Sequence, residues 1–269
     1  MTFKGFNLKY PEYEVITPQT GNSFTVRSLN VQEEEHLKGS LMTPQKITNH
    51  LNKCIYEALV KKPPTIKDFD SFMKGTTLKD RDALLYGLYH ISYGEIRDYD
   101  ITCSSCRKDY PVTVQASDTF TFNQYPGKGV LTKITKVDLP VSTGVSAYVR
   151  QPTLADEAEV MRSVGSRPNA TNEIVTETLI IAKFEDESTE AKSATVYDDR
   201  ADILDAYLTL PARDKRAIYK EYSENFGKYG IELKMKSYCQ HCGEEEVVDI
   251  DLVSAFFRVL YSVWSNRRI

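Results

Sequence analysis

The sequence has no apolar run near the roughly 18 residues that a bilayer-spanning helix requires. Its opening, MTFKGFNLKY, lacks the uninterrupted apolar core of a secretory signal. A net charge of −4 leaves none of the positive excess that marks a dedicated nucleic-acid binder. Histidine is scarce, and His36, His50 and His90 stand singly along the chain, each more simply a surface or half-buried residue than a catalytic base. No nucleophile elbow, zinc-protease helix or dinucleotide fingerprint occurs, and Gly127-Lys128-Gly129 lacks the spacing of a phosphate-binding loop. These absences speak against a membrane protein and against an enzyme. Five cysteines without an export signal fit a reducing compartment, where paired thiols hold metal more often than they form disulfides. The chain therefore reads as cytosolic when made, and the sequon Asn169-Ala170-Thr171 as accidental.

What is present is a globular composition, 41% hydrophobic and 27% charged, that can bury a real core. The 17 tyrosines suit interface-forming surfaces, because each offers apolar area together with one polar group.

The chain also resembles itself. FTVRSLNVQEEEHL (24–37) aligns with AYVRQPTLADEAEV (147–160) at an offset of 123. Each copy begins with a short alternating strand ending in Val-Arg, at Val26-Arg27 and Val149-Arg150. A helix start follows, Asn30 with Glu33 and Thr153 with Asp156, in the spacing of a capping box. Apolar helices are expected next. ITNHLNKCIYEALVKK places Ile47, Leu51, Cys54, Ile55 and Leu59 on one stripe, and NEIVTETLIIAKF does so with Ile174, Thr178, Ile181 and Phe184. TLKDRDALLYGLY (77–89) then aligns with LPARDKRAIYKEY (210–222) at an offset of 133, where Leu85-Tyr86 meets Ile218-Tyr219. Two cysteine motifs recur at an offset of 136. The drift is what loop insertions in the second copy would produce, chiefly within EDESTEAKSATVYDD (185–199). Four elements in one order predict an internal duplication.

The expected fold class is α+β, built from two strand–helices–β-hairpin units. The first covers 1–124 with its hairpin at 96–115, and the second covers 146–269 with its hairpin at 231–250. The stretch 125–145 joins them as an extended connector. DLVSAFFRVLYSVWSNRRI reads as a C-terminal helix, with Val253, Phe256, Phe257, Leu260 and Trp264 at helical spacing and Arg267-Arg268 near its negative end. It would pack on the chain's own core or dock into a partner.

The cysteines carry the sharpest signal. DITCSSCRKDYPVTV (100–114) pairs Cys103 with Cys106, and MKSYCQHCGEEEVVDI (235–250) pairs Cys239 with Cys242. Thiol–disulfide catalysis wants its first cysteine at a helix N-terminus, whereas strand-like runs flank both pairs here. Both read as hairpins closed by a knuckle turn, with Gly243 where the turn tolerates positive φ. A knuckle supplies two thiolates, whereas a structural zinc takes four ligands in a closed tetrahedron. No third C-x-x-C and no H-x-x-x-H completes either pair locally. The economical expectation is one structural Zn2+ per chain, ligated by Cys103, Cys106, Cys239 and Cys242. His241 as a substitute ligand, and a metal-free set of reduced thiols, remain the alternatives. Cys54 lies on an apolar helical stripe and reads as core. Glu33, Glu34 and Glu35 complement a helix dipole, and KDRDALL (79–85) reads as a solvated helix face.

Several stretches together, FTVRSLNVQEEEHLKGS, KITNHLNKCIYEAL, LKDRDALLYGLYHISYGE and YDITCSSCRKDYPVTV, resemble the T4-type bacteriophage baseplate family of hub and hub-assembly proteins. The shared pattern corresponds to Val26-Arg27, Glu33 to Glu35, Cys54-Ile55, Asp80-Arg81, Ser92-Tyr93-Gly94 and Cys103/Cys106, and it covers about 20–115. The resemblance implies a non-enzymatic structural or assembly protein of a contractile tail. It would be expressed late, sit in the virion baseplate or in the host cytoplasm during assembly, and contact other hub, wedge or tail-tube proteins. It implies no membrane, nucleic-acid or small-molecule partner. A zinc-ribbon nucleic-acid adaptor is the alternative function; Arg107-Lys108 favours it, and Glu244-Glu245-Glu246 would repel phosphate. An oxidoreductase using the C-x-x-C pairs is a third.

Overall fold

A computed structural model describes residues 9–39, 44–94, 96–115, 120–163, 167, 171–187 and 194–249. The chain opens with an antiparallel hairpin, β1 (Glu12–Ile16) and β2 (Ser23–Arg27). Two helices follow, α1 (Val31–Gly39) and α2 (Pro44–Glu57), before β3 (Leu59–Lys61) returns to pair with β2 in the order β1-β2-β3. Then come α3 (Phe69–Gly75), α4 (Leu78–Tyr93), the hairpin β4 (Ile96–Thr102) and β5 (Asp109–Gln115), and β6 (Phe120–Asn123).

The later part runs in a similar order. β7 (Ile134–Asp138) and β8 (Val145–Arg150) form a hairpin, followed by α5 (Leu154–Ser163) and α6 (Asn172–Thr178). β9 (Ile181–Asp186) pairs with β8, and β10 (Thr195–Tyr197) completes a sheet ordered β10-β9-β8-β7. α7 (Arg200–Thr209) and α8 (Ala212–Tyr222) lead through a π turn, Ser223–Gly227, into the hairpin β11 (Gly230–Tyr238) and β12 (Glu245–Asp249). All the described strand pairings are antiparallel. Helices and sheets thus coexist in one chain. Ile134–Asp138, inside the stretch read as a connector, contributes β7 to the second sheet. The C-terminal helix expected over 251–269 lies outside the described residues.

Local chemistry explains the helix starts. Asn30 Oδ1 accepts from Glu33 N–H at 3.0 Å while Glu33 Oε2 accepts from Asn30 N–H at 2.9 Å, the reciprocal capping box. Thr153 and Asp156 do the same at 3.3 and 2.8 Å. Each box carries a further member that spacing alone does not reveal. Arg27 reaches both oxygens of Glu33 at 3.0 and 2.5 Å, and Arg150 reaches Asp156 at 2.5 Å. The Val-Arg strand end is thereby tied to the helix it feeds. The same arginines lend their N–H to the returning strand region, at Ala58 O (3.0 Å) and Ile180 O (2.9 Å).

Two expectations are corrected. Leu59, Ile181 and Phe184 lie in β3 and β9, because α2 ends at Glu57 and α6 at Thr178. A short apolar run fits helix and strand periods equally well, and the free edge of the preceding strand decides for a strand. KDRDALL is not a solvated face either: Asp80, Ala83, Leu84 and Leu85 are buried. Asp80 turns inward to accept from the N–H of Gln19 (2.8 Å) and of Thr20 (3.2 Å), closing the β1–β2 loop. Asp214 does the same for Val141 (2.8 Å) and Ser142 (3.0 Å) in the β7–β8 loop. Both acids stand at the third position of their helices, so these roles coincide at an offset of 134, one residue from the alignment made on Leu85-Tyr86.

Phe24, Val26, Leu51, Ile55, Phe72, Leu84, Leu85 and Leu88 form one core, to which Leu154, Ile231 and Leu233 are added from later in the chain. Val137, Ala147, Val149, Ile181, Phe184, Ile203, Ile218 and Phe226 form another. Gly87 lets α4 lie against β1, since a Cβ there would come within 2.4 Å of Val15 Cγ2. The two parts meet through polar contacts of defined geometry. Leu78 N–H donates to Pro152 O at 3.3 Å and Leu154 N–H to Thr76 O at 3.1 Å, so the capping threonines Thr77 and Thr153 form a bridge. Gln19 Nε2 donates to Phe226 O and Tyr229 O, and Arg81 pairs with Glu157 at 2.5 Å.

Burial works against the Asp156 charge, but the Thr153 N–H and Arg150 hold its pKa below the ordinary 3.8. A carboxylate with a depressed native pKa stabilises the fold above its unfolded value and loses that contribution as pH falls through the native one. Asp156→Asn is therefore expected to cost about 1–3 kcal/mol near neutrality and to flatten the loss of stability below pH about 4. Urea unfolding across that range reads both effects.

Candidate metal centre

Each cysteine pair sits in a turn built the same way. Cys103 N–H donates to Lys108 O at 3.0 Å and Arg107 N–H to Cys103 O at 3.0 Å. In the second turn Cys239 N–H donates to Glu244 O at 2.9 Å and Gly243 N–H to Cys239 O at 2.8 Å. The residue after the last cysteine of each turn has positive φ, 59° at Arg107 and 76° at Gly243. Backbone N–H groups point back at the leading sulfurs, from Cys106 to Cys103 Sγ and from His241 to Cys239 Sγ, both at 3.4 Å.

Sheet pairing then brings the turns together. β6, which follows the first hairpin, lies antiparallel to β11, with Phe120 opposite Leu233 and Asn123 opposite Gly230. The outgoing chain of one hairpin is thus bonded to the incoming strand of the other. Cys103 Sγ lies 3.6 Å from Cys242 Sγ, and Cys106 Sγ lies 3.7 Å from Cys239 Sγ. All four sulfurs fall within 4.8 Å of one another. A disulfide would need about 2.05 Å, so these are free thiols. Four thiolates around a tetrahedral ion with bonds of about 2.3 Å stand about 3.8 Å apart, which is the spacing the two close contacts show. The donor set fits a thiophilic divalent cation such as zinc and leaves no open position on it.

Two braces hold the turns against each other. Glu246 Oε1, on β12, accepts from the N–H and the hydroxyl of Ser104, both at 2.7 Å. The His241 ring contacts Asp109 O at 3.1 Å, so this residue spans the hairpins rather than joining the sulfur cluster. Neither role is visible in spacing, because each partner lies more than 130 residues away. Around the sulfurs, Cys103, Tyr110, Val112 and Cys239 form a small separate core with Ile101, Cys106 and Met235 packed on it.

The sulfurs differ electrostatically. Burial opposes ionisation of Cys239, yet the N–H groups of His241 and Cys242 and the neighbouring thiols pull its pKa down to about 6. At Cys103 the Cys106 N–H favours the thiolate, but burial and the thiols of Cys242 and Cys106 push it up to about 12. Protons alone therefore leave the cluster unevenly charged, whereas a bound cation ionises every coordinating thiol. Cys54 stays apart: buried in α2, its thiol is pushed up to about 12 by desolvation, as befits an inert core residue. His90 packs against Tyr13 and Tyr86, while His36 and His50, read singly in the sequence, face each other.

The family model described as T4 bacteriophage base plate protein matches residues 10–258, most of the chain. The protein belongs to that family. The match extends the resemblance seen over the first part of the chain through the second hairpin. No curated protein and no solved structure matches the chain. Membership of the baseplate family implies a structural phage-tail protein, located in the virion tail and in contact with other baseplate proteins. Among the described residues no helix is long and apolar enough to cross a membrane.

The positive φ shared by the two turns yields a test. A left-handed backbone costs a side-chain-bearing residue about 1–2 kcal/mol, so Gly243→Ala is expected to destabilise by about that amount. Arg107→Gly, which removes the same strain from the first turn, is expected to be neutral or stabilising. Chemical denaturation of the two variants checks the opposite signs.

Proposed function

We propose that this chain is a non-enzymatic structural or assembly protein of the hub region of a contractile-tail baseplate, stiffened by one zinc ion per chain. The observation that carries the reading is the meeting of Cys103, Cys106, Cys239 and Cys242 from two distant hairpins, within a chain matched to the baseplate family over 10–258. Zinc suits four thiolates in a closed set, and such an ion acts on the fold rather than on a substrate. Among the described residues the hairpin pair buries only a handful of apolar side chains, and an added tie would help to hold two long hairpins in register.

The proposal includes an internal duplication, one unit over 1–124 and the other over 146–269, with 125–145 joining them and supplying β7. Several paired features support it. Arg27 and Arg150 each bridge to an acid six residues on, inside matching capping boxes. Asp80 and Asp214 each close a hairpin loop from the third position of a helix, and Arg107 and Gly243 share a positive φ. In this reading the zinc joins equivalent hairpins of two related units. The acidic run Glu244-Glu245-Glu246 beside the centre, with Glu246 bonded to Ser104, weighs against a nucleic-acid adaptor. Partners would be neighbouring hub, wedge or tail-tube proteins.

Elemental analysis of freshly purified protein is expected to give one zinc per chain, with Cys103→Ser and Cys239→Ser losing it to the same extent. Loss from only one of them would refute a shared site. Deleting the gene should yield no tails, or tails without baseplates. Normal tails from the deletion phage would overturn the assembly role, and mass spectrometry of purified virions separates a permanent component from an assembly factor.

A further inference from the structure

We infer that α1 and α2 carry a second metal-binding site, a two-histidine clamp formed by His36 and His50 for a borderline divalent cation such as Ni2+ or Zn2+. His50 Nδ1 faces His36 Nε2 at 3.1 Å, with the ring centroids 4.8 Å apart and the ring planes tilted by 44°. Two imidazole nitrogens bound to one tetrahedral cation at about 2.0–2.1 Å stand about 3.3 Å apart. The helices therefore already hold the nitrogens at nearly the separation an ion requires. Without an ion, one ring must direct its proton at the other's lone pair; with an ion, both lone pairs are used.

The surroundings leave room for the rest of the coordination shell. A cavity of about 550 Å³ opens beside the pair, lined by Gln32, Glu35, Lys53 and Glu57 among others. Glu33, which also lines it, is held by Arg27 at 2.5 Å. Among the described residues the four cysteines are the only group of three or more ligating side chains close enough to share an ion. The clamp thus has two protein ligands, and water, or a donor from a bound neighbour, completes the shell. Imidazoles favour zinc, nickel and copper over magnesium and calcium, which prefer oxygen. At the offset of 123 the position matching His36 is Glu159, so the architecture alone does not demand a histidine there. The clamp does not rest on the cysteine centre, nor on the baseplate reading.

Calorimetric titration of the purified full-length chain, native metal retained, with Ni2+ near neutral pH tests the site. One Ni2+ per chain is expected, with no uptake of Mg2+. His36→Ala and His50→Ala should each weaken Ni2+ binding by at least about tenfold while leaving zinc content unchanged. His36 is exposed, so its variant is expected to stay folded, which the thermal unfolding midpoint verifies. Three results overturn the clamp: no Ni2+ uptake by the parent, uptake unaltered in both variants, or uptake that releases zinc in proportion, which would place nickel on the sulfurs.

Discussion

The four-residue ladder between β6 and β11 is the constraint on which the cysteine centre depends. Phe120–Asn123 lies along Gly230–Leu233, and β11 then runs on without a break into the second cysteine turn. Ile231 and Leu233 anchor the start of that strand in the first core, while Met235 packs on the sulfur cluster further along. Because strand side chains alternate, a one-residue slip in this ladder would turn Ile231 and Leu233 out of the core. The same slip would carry Cys239 and Cys242 away from their partners. The position of the centre is thus set by hydrophobic burial about six residues away from it, and the thiols inherit that register.

Around the sulfurs the protein uses polar braces where apolar area is scarce. Glu246 covers Ser104 and His241 reaches the Asp109 carbonyl, so two side chains of the second hairpin orient the first. Such braces fix geometry but contribute little net stability at an exposed site. A four-thiolate ion would suit the position, because it would tie both turns with strong bonds and demand almost no buried area. A rigid tie between distant parts of one chain is what a scaffold for neighbouring proteins would need.

The remainder of the molecule repeats a few local devices. An arginine ending a strand grips the acid of the next capping box, and an aspartate at the third helical position closes a hairpin loop. Both devices satisfy backbone N–H groups that would otherwise lose hydrogen bonds on burial. They also lock strand to helix within each part, while Thr77, Thr153, Gln19 and the Arg81–Glu157 bridge add polar contacts between the parts to the apolar ones of Leu154, Ile231 and Leu233.

Much was legible in the sequence because it is encoded locally. The capping boxes at Asn30 and Thr153, the two cysteine turns and the glycine after Cys242 follow from residue type and spacing over a few positions. The assignments that failed are those in which distant partners decide. Ile181 and Phe184 have helical spacing but become a strand because β8 offers an open edge, and Asp80 looks solvated but is drawn inward by the Gln19 and Thr20 N–H groups. The facing of His36 and His50 and the bracing by Glu246 likewise appear only once the chain is folded. Spacing along the chain dictates which residues can form a turn, a cap or a thiol pair. Which of those elements meet is settled by burial and strand pairing across more than a hundred residues; the four-ligand demand of a metal pointed to the meeting of the two cysteine pairs, and no local pattern held the other encounters.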